Sequence, residues 1–538
     1  MKHFTHSVLF MLFLGTGILL SSCHTTPDKP KATPCASCGD MGLPLNEMTI
    51  PEMIRGYHAH RFSVKDIVNT YLLRIDALDK HGPHLNAYIT VNPDAMKMAD
   101  SLDKLLAAGK ASGPLFGIPV VLKDNIDTHD KMACTGGSRA LAGSHPLRDS
   151  WVAARLRAAG AIILGKANLS EWANFRSSFS SSGWSGAGGQ TKNPYVLDRN
   201  PCGSSSGPGA AVSANLAMAG IGTETDGSIM CPSNANGLVG IKPTVGLISR
   251  SGVIPISFTQ DTPGPMTRTV TDAAIILGVL TGTDSADAKT LASKGHAYRD
   301  YTPFLKKGSL RGKRLGLYMP PLGRSYKVDT LMYRAVRFLE SRGATVVKIN
   351  KIFPPGVEDA SFQVLLYEFK DGLNRYFTSL GPNAPVKSLK ELIAFNKTDS
   401  VELKYFDQQL LLEAEAKGNL NSPAYKKALA TMLHGSRKLG IDRVMDQYHL
   451  DALIGPTGGP AWKTDLVNGD HFVTGCSSPA AISGYPNITV PMGQIQGLPV
   501  GLSFFGRAWS EPLLISLAYD FEQGTHYRKA PEFKKSIE

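Results

Sequence analysis

Between Asn200 and Ala210 the chain reads Asn-Pro-Cys-Gly-Ser-Ser-Ser-Gly-Pro-Gly-Ala, three consecutive hydroxyls set between glycines. Glycines and serines running into a helix N-terminus form a nest of backbone N–H groups at the positive end of the helix dipole. Phosphate-binding loops use the same physics, but the Gly-Lys-Ser/Thr ending of a Walker loop is absent here. Gly203-x-Ser205-x-Gly207 also fits the G-x-S-x-G nucleophile elbow, which demands a strand immediately before the serine. What precedes is Val196–Pro201, a charged, proline-stopped loop, and neither His471 nor His526 has the context of a catalytic base. Two other segments carry reactive groups. Gly117–Asn125 places Lys123 at the end of an apolar run, and Gly222–Ile229 places Ser228 in a turn after a short apolar stretch. An ammonium with an ordinary pKa of about 10.4 accepts no proton, but burial at a strand end disfavours the charge and lowers that value. Ser-Lys arrangements can replace Ser-His-Asp. Taken singly, each residue has a blander reading, as a surface lysine or a turn serine.

Their joint occurrence closely resembles the amidase-signature family. The resemblance continues through Val239–Thr244 and Asp261–Met266, and resumes at Gly484-Tyr485-Pro486 and Leu498–Gly501. Gly165–Phe175 and Gly183–Asn200 look most like bacterial peptide amidases. The resemblance implies amide hydrolysis through an acyl-serine, with Ser228 as nucleophile, Ser204 as proton relay held by a cis peptide, and Lys123 as base. It implies an oxyanion hole from the backbone of Thr225, Asp226, Gly227 and Ser228, no metal and no organic cofactor. The substrate is then a small amide or a peptide amide. Two departures qualify this. Asp226 stands where a first glycine is usual, so its carboxylate must point away from the oxyanion or be paired. Met230 stands where many relatives carry arginine, which argues against small acidic substrates and for hydrophobic or peptide-like amides. Lys166 and Lys242 are assigned to structure, and Glu171, Trp172, Asn174 and Trp184 to either pocket or core. The rival readings are the glutaminase-type component of a tRNA amidotransferase and a catalytically inactive envelope lipoprotein.

The elements that must position these groups are legible in outline. Ser63–Leu78 has the apolar spacing of one helical face, with Ser63 as N-cap and Asp66 in the capping-box position. Leu115–Leu122, Ala161–Leu164, Leu315–Tyr318, Thr345–Ile349, Asp451–Ile454 and Asn487–Val490 read as strands. Helices are expected at Pro208–Ala219, Thr330–Arg342 and Pro512–Glu522, with a mostly helical, polar stretch over Glu358–Tyr448 that could cover the site. Such alternation predicts an α/β fold; with the family resemblance, it is the amidase-signature fold, a large mixed twisted central β-sheet covered by helices on both faces.

Composition sets the frame. A hydrophobic share of 42% with 19% charged residues is that of a globular chain. The formal charge of +12 comes without a basic block interleaved with aromatics, so no nucleic acid partner is implied. Lys2 and His3 precede an apolar run from Val8 to Leu20, the pattern of a signal peptide, and Leu20-Ser21-Ser22-Cys23 resembles a bacterial lipobox. We therefore expect a lipoprotein signal peptide over 1–22, a flexible tether over 23–46 beginning at an acylated Cys23, and one catalytic domain over 47–538. The expected location is the cell envelope, lipid-anchored, at the periplasmic face of the outer membrane. Nothing in the pattern points to an oligomeric state. Cys35 and Cys38 suit a local disulfide or two idle thiols, whereas Cys134, Cys202, Cys231 and Cys476 are scattered and expected to be free and buried.

Overall fold

A computed structural model of the chain describes residue 43 and residues 45–537. The expected signal peptide, Cys23, Cys35 and Cys38 lie outside those residues. Leu45 is already fully buried against the main core.

The centre is one sheet of eleven strands. In chain order they are β1 (Tyr88–Val91), β2 (Pro119–Lys123), β3 (Ile162–Ala167), β4 (Ala219–Glu224), β5 (Val239–Lys242) and β6 (Thr262–Thr267). There follow β7 (Arg314–Tyr318), β8 (Thr345–Ile349), β9 (Ala452–Pro456), β10 (Asn487–Ile495) and β11 (Leu498–Phe505). Their spatial order is β1-β3-β2-β4-β6-β5-β10-β11-β9-β7-β8. The sheet is mixed: β3, β2 and β4 run parallel, β6, β5, β10 and β11 alternate in direction, and β9, β7 and β8 are parallel again. This is the large mixed α/β sheet expected. The strands β2, β3, β4, β9 and β11 are buried at every position, which accounts for their mostly apolar or small residues, interrupted by Lys123, Lys166 and Glu224.

The first long helix, Val64–Arg74, starts where expected. Ser63 Oγ accepts from the Asp66 N–H at 3.0 Å while Asp66 Oδ2 accepts from the Ser63 N–H at 2.9 Å, a reciprocal capping box. The helix expected over Pro208–Ala219 is instead Ser206–Ser213, and Ala219 opens β4. The cause is Asn215, whose left-handed φ of +54° ends the helix and turns the chain into the sheet. The polar stretch after residue 356 forms helices Val357–Ser379, Leu389–Thr398, Gln409–Glu415 and Pro423–Ser436. Leu366, Phe369, Leu373 and Phe377 of the first of these pack in a second apolar cluster with Cys134, Trp172 and Phe175, beside the site rather than in the main core. No helix among the described residues is long and apolar enough to cross a membrane.

Candidate active site

Because β3, β2 and β4 are parallel, their C-terminal ends open on the same edge of the sheet, the edge where α/β proteins bind ligands. Lys123 ends β2 and is fully buried. Its Nζ lies 2.7 Å from Ser204 Oγ, 2.9 Å from Thr223 Oγ1 and 3.2 Å from the Thr223 carbonyl oxygen. Burial pushes its pKa down to about 7, against the opposing pull of the Asp261 and Glu224 carboxylates. Asn125 Nδ2 donates to Thr223 Oγ1 at 3.0 Å and fixes that hydroxyl.

The three serines, inseparable by local sequence, have three different partners. Only Ser204 reaches Lys123. Ser205 Oγ donates to the Thr223 carbonyl and accepts from the Thr223 N–H, both at 3.2 Å. Ser206 Oγ donates to the Cys202 carbonyl at 2.6 Å, closing the start of the helix. The Gly203–Ser204 peptide is cis, as the resemblance implied. Gly207 lets this loop lie on β3: a Cβ there would stand 2.4 Å from the carbonyl oxygens of Ala87 and Asn168 and 2.5 Å from Asn168 N. These are backbone atoms and cannot rotate aside. Gly207→Ala is expected to cost about 3 kcal/mol or more and to lower the melting temperature sharply in a thermal unfolding scan.

Ser228 ends the turn that leaves β4. Its carbonyl accepts from the Ser205 N–H at 3.2 Å, tying the two serine loops together, while its hydroxyl has no hydrogen-bond partner among the described residues. Gly227 makes the turn with a left-handed φ of +79°. Glu224, buried at the end of β4, accepts from the N–H groups of Ile229 at 2.7 Å and Met230 at 2.9 Å, shaping the turn from within. Thr225 Oγ1 donates to Asp261 Oδ1 at 2.6 Å, and Asp261 is itself held by the N–H groups of Ile256 and Ser257. Among the described residues, the backbone N–H groups of Thr225, Asp226, Gly227 and Ser228 have no protein acceptor. The Asp226 side chain has a neutral partner in place of a cation: Ser477 Oγ donates to its Oδ1 at 2.7 Å.

A cleft of about 260 Å³ opens over Gly203 and Gly227, the neighbours of Ser204 and Ser228, with Asn174, Asp470, Trp462 and Phe472 on its walls. Of the four residues left between pocket and core, Asn174 alone lines the cleft. Glu171 is buried against Arg176, which also holds Glu402, Trp172 packs on Phe377, and Trp184 packs on Tyr405 and Phe406. Lys166 and Lys242 are buried and structural: Lys166 Nζ bonds the Ile126 carbonyl, and Lys242 Nζ the Pro243 carbonyl.

Two expectations are corrected. Cys202 and Cys231 are not free thiols but form a disulfide, Cα to Cα 5.9 Å, and line the cleft; Cys134 and Cys476 are free and buried. Each bonded cysteine flanks a serine loop, so the convergence of those loops was the signal available. Met230 is fully buried in the main core and takes no part in the cleft wall, so it carries no argument about substrate polarity. Thr223, Glu224, Asp261 and Ser477 were not singled out, because only the folded sheet brings them to the site.

The chain matches the family model described as Amidase over residues 66–515. It is 42% identical over 502 residues to a probable amidase of Arabidopsis thaliana, covering 91% of this chain and 92% of that one. The native peptide amidase of Stenotrophomonas maltophilia has the same fold with a TM-score of 0.88 and 49% identity, covering 91% of this chain and 99% of that one. A component of the glutamyl-tRNA(Gln) amidotransferase of Halorhodospira halophila is more distant, 32% identical over 505 residues, covering 90% of this chain and 99% of that one.

Proposed function

We propose, on the premise that this chain belongs to the amidase family and is an amide hydrolase, that its substrates are the C-terminal carboxamides of peptides. The observation that carries this choice is the 49% identity to a peptide amidase across nearly the whole of both chains. The cleft is consistent with it: Trp462 and Phe472 offer apolar walls, and Asn174 an amide for the substrate's own peptide groups.

In this reading the carboxamide carbonyl sits against the turn, its oxygen facing the unpaired N–H groups of Thr225–Ser228. A neutral Lys123 has two N–H bonds and one lone pair. Thr223 presents two acceptors, its carbonyl and its hydroxyl oxygen, which take both N–H bonds. The lone pair is then left for the Ser204 proton. Ser228 Oγ attacks the carbonyl carbon, its proton passes to Ser204 Oγ, and the Ser204 proton passes to Lys123. The same relay run backwards protonates the leaving nitrogen, which departs as ammonia and leaves the acyl group on Ser228. Water then attacks the ester by the same route, releasing the peptide carboxylate and restoring the hydroxyl.

The test is ammonia release from purified mature protein offered peptide amides, aryl amides, fatty amides and free glutamine. Peptide amides are expected to be turned over with the highest kcat/KM. A higher value for glutamine would overturn the substrate assignment and favour the amidotransferase reading.

Export and lipidation at Cys23 belong to the same proposal. They are supported by the lipobox-like Leu20–Cys23 and by the Cys202–Cys231 disulfide, a bond that persists in oxidising compartments. Cys23→Ala is expected to move the protein from the membrane to the soluble fraction on cell fractionation; unchanged retention would refute acylation there.

A further inference from the structure

We propose that the cleft beside Ser228 selects peptide amides that carry a positive charge close to the scissile amide, with Asp226 and Asp470 as the specificity-determining residues. This rests on the peptide-amide reading above. The cleft is lined by two carboxylates and by no lysine, arginine or histidine, in a chain whose formal charge is +12. Its sign is therefore opposite to that of the molecule as a whole.

Asp226 stands two residues before Ser228 in the same turn, with its side chain exposed into the cleft. Ser477 Oγ orients it at 2.7 Å as a neutral donor, and its hydrogen bond opposes the burial that pushes the Asp226 carboxyl up. Asp470, also in the cleft lining, is held by the Ser182 N–H at 2.8 Å and the Ser182 hydroxyl at 2.5 Å, again by neutral donors. Glu358 is close enough to Asp226 to add a like charge. Lys242, whose charge reaches Asp226, is itself buried among Glu224 and Glu511, and the His471 ring lies 3.2 Å from Asp465. Two oriented carboxylates in a walled cleft, with no cation lining it, favour an ammonium or guanidinium and repel a carboxylate. Phe472, which lines the cleft and is 50% exposed, adds an apolar side chain, so the favoured substrate is both cationic and apolar.

The test uses acetyl-Leu-X-amide and acetyl-X-Leu-amide with X lysine, norleucine or glutamate, which differ in charge far more than in length. Lysine is expected to exceed norleucine in kcat/KM by about tenfold in at least one series, with glutamate lowest and the gap narrowing in high salt. Asp226→Asn and Asp470→Asn should each pull the lysine-to-norleucine ratio towards one; the ratio within each variant is the readout, so a general loss of rate does not imitate the effect. Should Asp226→Asn fail to fold, Asp470→Asn and the salt dependence of the unaltered protein decide. Equal rates for lysine and norleucine in both series, or a preference that survives in every variant that folds, would overturn the proposal. Hydrolysis of norleucine amides without charge preference sinks this inference alone, whereas no hydrolysis of any peptide amide sinks the peptide-amide reading beneath it.

Discussion

Replacing Ser228 by alanine is expected to lower amide turnover by about ten-thousand- to a million-fold while leaving the fold intact. The hydroxyl has no hydrogen-bond partner among the described residues, so its removal breaks nothing in the resting protein. The turn keeps its shape through Glu224, which holds the Ile229 and Met230 N–H groups, and through Asp261, which holds Thr225. What is lost is the atom that bonds to the acyl group. Any residual rate comes from the oxyanion turn, which still polarises the carbonyl for attack by water. Ser205→Ala is the informative control. It removes a hydroxyl one residue from Ser204, but one that bonds the Thr223 backbone rather than Lys123. It should cost about 1 kcal/mol of stability and retain substantial activity. Ammonia release alongside a thermal melt of both variants checks the pair.

Lys123→Met is expected to lower kcat/KM by about a hundred- to ten-thousand-fold without lowering the melting temperature at neutral pH. Both effects have one cause. Burial holds the Lys123 pKa at about 7, far below its ordinary value of 10.5. The unfolded chain therefore binds a proton that the folded chain gives up between pH 7 and 10.5. Folding stability attributable to this group rises with pH through that window and is lowest at and below about 7. Each unit of depression corresponds to about 1.4 kcal/mol, a penalty that methionine, of similar length and uncharged, does not incur. Against it stands the loss of the bonds to Ser204 and Thr223, about 1–3 kcal/mol for polar groups left unpaired. The same depression sets the pH profile of the unaltered enzyme. Below about 7 the amine is charged and has no lone pair for Ser204, so kcat/KM should climb about tenfold per unit and level off above about 7. In Lys123→Met that acid limb should vanish along with the rate.

Much of this was readable from residue order because the chemistry is concentrated at strand ends. An apolar run ending in lysine, and a small-residue strand ending in a Gly-Ser turn, declare both the element and the group it presents. Ser204 could be told from Ser205 and Ser206 only through family resemblance, since all three are the same residue in the same loop; the fold separates them by their partners. Asp226 illustrates the limit differently. Its need for a partner followed from its place beside an oxyanion, but Ser477 lies 251 residues away and no local pattern connects them. Thr223, which orients Lys123, is an ordinary strand residue until β2 and β4 are seen side by side. Strand β6 is not legible in the sequence because Pro263 and Pro265 argue against an interior strand. Both prolines lie in the half of β6 that pairs with β4 alone, since β5 joins only at Met266 and Thr267. Likewise the helix read through to Ala219 was long because an Ala- and Gly-rich stretch suits helix and buried strand alike.

The most direct test of the central claim is to label the protein with a fluorophosphonate and map the modified peptide by mass spectrometry. A single adduct is expected, on Ser228, forming faster as the pH rises through about 7 and absent from Ser228→Ala. An adduct on Ser204 or Ser205, or full labelling of Ser228→Ala, would contradict it.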